Sequence, residues 1–276
     1  MTEPSPLSFF GAGLDPGPSF VELVRQVRPS ILPGGAIAGF DGATPFGADV
    51  PHGTTVIAIR YDGGVVMAGD RRATAGYTIA SRRIEKVFAA DELSGVAIAG
   101  AAGPAVELVK LFQVQLEHYE KVQGDMLTLE GKANQLSQLV RANLPAAMQG
   151  FVVVPLFAGY DERRERGRVF SYDVTGGRYE ETDFQTQGSG SVHARNWIKA
   201  AWREDLSADE AARLAIRALF AAADEDVATG GPDLVRRIFP TVARIDTNGY
   251  EALSDDAIVA LAEAELGGAE RGGAAS

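Results

Sequence analysis

The stretch Gly53-Thr54-Thr55-Val56-Ile57-Ala58-Ile59-Arg60-Tyr61-Asp62-Gly63-Gly64-Val65-Val66-Met67-Ala68-Gly69-Asp70 decides how this chain is read. Two apolar runs rich in β-branched residues, 54–61 and 65–69, are separated by Asp62-Gly63-Gly64, which predicts a β-hairpin closed by a tight turn. On the N-terminal side of this stretch the composition changes. Residues 1–53 hold eight of the thirteen prolines and nine glycines, with one helix-like piece at 20–27, so they read as a leader and not as core. A flexible interaction tail is the other reading that this composition supports.

On the C-terminal side, strands are expected at 84–89 and 94–100. Two helices follow. Ala105, Val109, Phe112, Leu116 and Tyr119 recur at spacings of three and four in the first, and the second covers about 129–144. Strands return at 151–159, 168–174 and 178–184, then helices at 191–204 and 208–228, the latter opened by Ser207 and Glu210 in a capping box. Strands at 239–246 and 250–253, joined by Asn248-Gly249, lead to a last helix capped by Ser254 and favourably charged by Asp255-Asp256. Gly267-Gly268 is expected to end that helix and leave 267–276 as a flexible tail. Grouped strands and grouped helices favour an α+β chain with antiparallel sheets under helical layers over a Rossmann alternation.

The 276 residues, 46% hydrophobic, suffice for an ordinary buried core in one large domain or two small ones. The longest apolar stretch, 95–112, consists largely of Gly and Ala and is broken by Glu107 and Lys110, so it is a poor membrane span. The first basic residue is Arg25, which is unlike a secretory signal, and a cytoplasmic location is the default expectation. With no cysteine the chain has no disulfide framework, thiol nucleophile or thiolate metal site. A net charge of -11 argues against a nucleic-acid surface. The pairs Arg71-Arg72, Arg82-Arg83, Arg163-Arg164 and Arg236-Arg237 read as solvated faces or interface salt bridges. His52, His118 and His193 lack the spacing of metal ligands, and neither Gly11-Ala12-Gly13 nor Gly188-Ser189-Gly190 has the context of a dinucleotide loop. The expected chemistry uses no metal and no cofactor.

On a strand, Ile84, Lys86 and Phe88 share one face, which places Lys86 among apolar neighbours. A buried ammonium needs a carboxylate. Asp70 is the first candidate, because it follows Val66 and Ala68 on one face of the hairpin. Such a pair fits a structural salt bridge as well as a chemical role. Thr54 carries a further possibility. If the chain is cut between Gly53 and Thr54, that residue gains a hydroxyl nucleophile together with a free α-amine that can act as its base. While Gly53 is attached, the same nitrogen is an amide and cannot accept a proton. Thr55 lies on the opposite strand face and is not expected to replace Thr54.

The runs Thr54-Thr55-Val56-Ile57-Ala58, Ala68-Gly69-Asp70-Arg71-Arg72-Ala73-Thr74 and Ile84-Glu85-Lys86-Val87-Phe88 resemble the β subunits of the 20S proteasome, a family of N-terminal nucleophile hydrolases. Ile98-Ala99-Gly100-Ala101-Ala102-Gly103, Gly188-Ser189-Gly190-Ser191 and Asp226-Val227-Ala228-Thr229-Gly230-Gly231 follow in the family's order, so the resemblance covers 54–253. The long leader and acidic, extended C-terminus look most like the actinobacterial branch. The resemblance implies a four-layer αββα sandwich. It also implies a propeptide, 1–53, removed by autocatalytic cleavage between Gly53 and Thr54, ahead of a catalytic domain at 54–266.

By the same resemblance Thr54 is the nucleophile, and its amine, with an ordinary pKa of about 7.7 to 8.0, is the base. Asp70 would orient Lys86 beside it, while Ser189, Asp226 and Thr229 would hydrogen-bond the amine, Thr229 standing where serine is commoner. Gly100 would offer its N–H to the oxyanion, although a simple strand-end turn also explains a glycine there. Backbone groups of Thr74, Gly100 and Ala102 would pair with an extended substrate. Ala73, Ile84, Phe88, Ile98 and Ala102, equally readable as core, would form an uncharged pocket that selects large hydrophobic residues.

The implied partners are a seven-membered β ring stacked with α-subunit rings, a hexameric ATPase and substrates carrying a ubiquitin-like tag, with no nucleic acid and no membrane. Two alternatives share parts of this pattern. The two-ring bacterial protease with an N-terminal threonine usually begins almost directly with that residue, and a non-catalytic ring scaffold typically lacks the threonine, the lysine or the preceding glycine. Gly53, Thr54 and Lys86 are all present here.

Overall fold

The computed structural model describes residues 53–75, 77–233 and 235–272, with side chains as far as Glu263. Residues 1–52 of the leader, with its helix-like piece at 20–27, and residues 273–276 lie outside the described residues. The opening hairpin forms as expected, with β1 (Thr55–Tyr61) antiparallel to β2 (Gly64–Gly69). Asp62-Gly63 makes the turn, and Gly63 sits at a φ of 96°, a conformation that glycine enters without steric cost.

These two strands are the middle of a five-stranded antiparallel sheet in the order β10 (Phe184–Gly188), β1, β2, β11 (Thr241–Asp246) and β12 (Gly249–Ala252). A second five-stranded antiparallel sheet runs β5 (Val87–Asp91), β6 (Ser94–Gly100), β7 (Val153–Asp161), β8 (Arg166–Tyr172) and β9 (Arg178–Glu181). Helices α1 (Ala102–Gln123) and α2 (Leu129–Ala142) cover the second sheet, followed by the single turn α3 (Leu144–Ala147). Helices α4 (Ser191–Ala201), α5 (Ala208–Glu225) and α6 (Asp255–Gly272) cover the first.

The alternation of side chains sorts the core into layers. Val56, Ala58, Val65 and Met67 meet Ala97, Ala99, Leu156 and Ala158 between the two sheets. Ile57, Ile59, Val66 and Ala68 point the other way, onto Ile198, Ala215 and Leu219 of α4 and α5. On the far side, Val96, Phe157 and Phe170 pack on Phe112 and Leu136 of α1 and α2, with Phe112 edge-on to Phe157 at 5.8 Å. The result is the four-layer αββα sandwich. Because β1 and β2 are dry on both faces, their sequence is apolar almost throughout.

Several boundaries differ from expectation, each for a physical reason. The run expected as one strand at 178–184 is two, and the chain crosses from the second sheet to the first at Thr182-Asp183. Period-two alternation does not say which sheet a strand joins. A short hairpin, β3 (Ala73–Ala75) with β4 (Thr78–Ser81), occupies a segment with no such forecast, where exposed residues give no apolar pattern. β5 starts at Val87, so Ile84 and Lys86 precede the strand. Helices α4 and α5 stop three residues short of the expected 204 and 228; in α5 the chain turns out at Asp226 to carry the site described below. α6 runs through Gly267-Gly268 to Gly272, since a glycine inside a helix costs only about 1 kcal/mol and ends it only where the backbone turns away. Among the described residues no helix is long and apolar enough to cross a membrane.

Candidate active site

Thr54 enters β1 at the edge of the sandwich, only 3% exposed. Its hydroxyl donates to the carbonyl oxygen of Gly53 at 2.7 Å. The same oxygen accepts from Lys86 Nζ at 3.1 Å, so the carbonyl that precedes Thr54 is held by a hydroxyl and a cation.

Lys86 uses all three of its protons. Besides Gly53 it donates to Asp70 Oδ1 at 2.6 Å and to the Arg72 carbonyl at 2.6 Å. Burial pushes its ammonium below the ordinary lysine value, an effect that the Asp70 carboxylate opposes. Asp70 is equally saturated: Oδ1 accepts from Lys86 and from the Thr55 N–H at 2.8 Å, Oδ2 from the N–H groups of Arg72 at 2.9 Å and Gly230 at 2.8 Å. The hairpin delivers Asp70, the approach to β5 delivers Lys86, and the turn after α5 delivers Gly230. Four directional bonds hold the carboxylate in one orientation.

A second polar group lies on the nitrogen side of Thr54. Ser189, in the link between β10 and α4, sits with its Oγ 3.5 Å from that nitrogen and donates to Asp226 Oδ2 at 2.5 Å. Thr229 Oγ1 donates to the same carboxylate oxygen at 2.6 Å, and the Ala228 N–H reaches the other at 3.1 Å. Burial pushes the Asp226 carboxyl up, but the bonds from Ser189, Thr229 and Ala228 outweigh it and hold the group below the usual aspartate value.

The expected pocket residues come together. One cleft is lined by Gly53, Thr54, Ala73, Ile84, Lys86, Phe88, Ile98, Gly100 and Ala102. Ile84, Lys86 and Phe88 reach one cleft as expected, but not as alternate residues of a strand: only Phe88 lies in β5, and Glu85, expected on the opposite face, lines the same cleft. Thr74 stands on β3, which pairs on one side with β4 and, among the described residues, leaves its other edge unpaired. Gly100 has a φ of 123°, and a Cβ there would fall 2.0 Å from the Val152 carbonyl, so the backbone beside the cleft permits glycine alone.

The match of a family model described as proteasome subunit extends over residues 50–235, the span that contains both polar groups and the cleft. The chain belongs to the proteasome subunit family. Its similarity to β-type members is extensive. The proteasome subunit beta of Acidimicrobium ferrooxidans is 57% identical over 249 residues, covering 90% of this chain and 89% of the relative. That of Acidothermus cellulolyticus is 56% identical over 249 residues, with 89% and 85% covered. The Streptomyces griseus protein of the same name is 56% identical over 246 residues, with 88% and 86% covered.

In this proteasome subunit some participants escaped the sequence reading. Glu85, Ala105 and Val106 also line the cleft; Val106 lies one helical turn beyond Ala102 on α1, a spacing that could have flagged it. The carbonyl and N–H of Arg72 and the N–H groups of Thr55 and Gly230 are backbone contributions, on which side-chain identity is silent. Gly53 is itself constrained. A Cβ on it would lie 2.6 Å from Ala228 Cβ, 2.7 Å from Ala228 O and 2.7 Å from Thr74 Oγ1.

Proposed function

We propose that this chain is a catalytic β subunit of the 20S proteasome, a threonine endopeptidase made as a precursor that removes its own leader. One observation carries the proposal: Thr54 Oγ1 lies 2.7 Å from the Gly53 carbonyl oxygen, which Lys86 also contacts. In the precursor, Thr54 Oγ adds to the Gly53 carbonyl carbon, the C–N bond breaks, the hydroxyl proton ends on the released nitrogen, and the acyl group passes from nitrogen to oxygen as an ester. Water then hydrolyses the ester, leaving Gly53 as a carboxylate and Thr54 with a free amine.

In the mature subunit the same hydroxyl attacks the carbonyl carbon of a substrate peptide, and the amine takes its proton and passes it to the departing nitrogen as the peptide C–N bond breaks. Water then hydrolyses the ester left on Thr54, releasing a carboxylate and restoring the hydroxyl. Lys86, oriented by Asp70, supplies positive charge beside the nucleophile. Ser189, Asp226 and Thr229 orient the amine. The Gly100 N–H faces the oxyanion, and backbone groups of Thr74, Gly100 and Ala102 align the substrate as an added strand. The apolar walls from Ala73, Ile84, Phe88, Ile98 and Ala102 support cleavage after large hydrophobic residues, because a charged side chain would be desolvated there without a partner.

The assembly belongs to the same proposal: seven-membered β rings between α-subunit rings, in the cytoplasm, fed by a hexameric ATPase with proteins bearing a ubiquitin-like tag. The family resemblance supports this part. The deciding experiment compares the particle assembled with α subunits in wild-type and Thr54→Ala form. Wild type should show a β chain with the mass of 54–276 and should hydrolyse peptides ending in a large hydrophobic residue ahead of basic or acidic ones. Thr54→Ala should keep its leader and hydrolyse nothing. Wild-type particles that retain the full-length chain would point to a scaffold subunit instead.

A further inference from the structure

Thr55 neighbours the nucleophile but faces the other side of β1, toward the helical layer, and it is completely buried. We propose that Thr55 is a positioning residue, tying the strand that carries Thr54 to both polar groups that flank the nucleophile. The proposal rests on Thr54 being that nucleophile.

Its backbone N–H donates to Asp70 Oδ1, the oxygen that Lys86 also reaches. Its hydroxyl lies 2.6 Å from Thr229 Oγ1. Proton counting fixes the direction of that bond. An ionised Asp226 can only accept, and the one hydroxyl proton of Thr229 is committed to Asp226 Oδ2 at 2.6 Å. Thr55 is therefore the donor to Thr229, and its oxygen accepts in turn from the Gly190 N–H at 3.1 Å. Ser189 gives its proton to Asp226 at 2.5 Å and so presents an acceptor to the Thr54 nitrogen.

The hydroxyls form one directed chain, from Gly190 through Thr55 and Thr229 to Asp226, with Ser189 joining from the nitrogen side. Gly190 confirms how closely the backbone presses on this chain: a Cβ there would fall 2.5 Å from Thr55 Oγ1 and 2.7 Å from Thr229 Oγ1. Removing the Thr55 hydroxyl leaves a buried N–H without an acceptor and Thr229 without its donor. Thr229 and Asp226 are then free to reorient, and Ser189 loses its aim at the nitrogen.

Once the chain is cut, that nitrogen is the amine base. The charged groups around it are Lys86 and Asp70 on one side and Asp226 on the other, with Arg72 and His193 beyond them and Glu85 along the cleft. An amine that loses its oriented acceptor holds a proton less tightly. The acid limb of the pH profile of kcat/KM reports this, and a purely structural role for Thr55 would not move it.

The test uses complete particles assembled with α subunits and carrying Thr55→Val, Thr55→Ala or Thr55→Ser. The two hydroxyl-free variants should lose about tenfold in kcat/KM, with KM little changed. Their acid limb should move to lower pH. Thr55→Ser should restore both the rate and the profile. Either hydroxyl-free variant with wild-type rate and profile overturns the proposal, as does Thr55→Ser behaving like Thr55→Val. If Thr55→Val yields no particle, Thr55→Ala and Thr55→Ser still decide. A Thr54→Ala particle run alongside separates the two ideas, since peptide hydrolysis by it would remove the nucleophile assignment and this proposal with it.

Discussion

Replacing Gly53 by alanine should slow removal of the leader about a hundredfold and leave a chain that already begins at Thr54 unaffected. The added Cβ would stand 2.6 Å from Ala228 Cβ, 2.7 Å from the Ala228 carbonyl oxygen and 2.7 Å from Thr74 Oγ1. Non-bonded carbons settle at about 3.5–4.0 Å, so the Gly53 peptide would have to back away by roughly 1 Å. Two of the three obstacles belong to Ala228, whose backbone oxygen and single methyl offer no rotamer that clears the way. The retreat would draw the Gly53 carbonyl off the Thr54 hydroxyl, now at 2.7 Å, and off Lys86 Nζ, now at 3.1 Å. A displacement of about 1 Å at a reacting centre costs on the order of a hundredfold in rate. Intact mass, followed over time after mixing precursor with α subunits, measures this directly. A matching chain whose leader is replaced by a removable fusion, so that it starts at Thr54, is the control. Processing of Gly53→Ala at the wild-type rate would refute the steric argument. Gly53→Ala particles that have completed processing are chemically the same as wild type and should match this control in peptide hydrolysis; a defect that persists after the leader has gone would place the damage elsewhere.

Asp70→Ala should cost about 3–5 kcal/mol of stability, visible as a lowered melting temperature, because it strands a buried ammonium. The two side chains concerned are 0% exposed for Asp70 and 6% for Lys86. Acid should weaken the group around Asp226 in a definite window. Its carboxyl is held below the usual value in the folded chain, so it binds a proton less readily there than in the unfolded chain, where the pKa is about 3.9. Its contribution to stability is therefore complete above about pH 4 and fades as pH falls through the lower folded value. Urea midpoints measured from pH 6 downward should show a step in that window that Asp226→Asn lacks.

Much of the site was legible because each clue was short-range. Lys86 among apolar neighbours demanded a carboxylate, and the hairpin offered Asp70, which is found 2.6 Å away. Ser207 and Glu210 announced the start of α5, and both bonds of the capping box are present. The end of that helix was not legible. Nothing in 222–229 marks the residue at which it opens, and the early exit at Asp226 is what brings Asp226 and Thr229 to the nitrogen side of Thr54. Thr55 was recognisable only as a residue on the wrong face to act as nucleophile. Its tie to Thr229 spans 174 positions of chain, which no local pattern encodes.

The sequence by itself determined the opening hairpin, the apolar strands of the core, the capping box of α5 and the pairing of Lys86 with Asp70, because propensity, periodicity and charge pairing act over a few neighbours. The tertiary structure alone decided which sheet each strand joined, where 178–188 divides between sheets, and which backbone groups finish the site. Gly230 shows why. Its N–H completes the Asp70 carboxylate from 160 residues away, and that bond exists only once a helix, a turn and a hairpin have packed on one core.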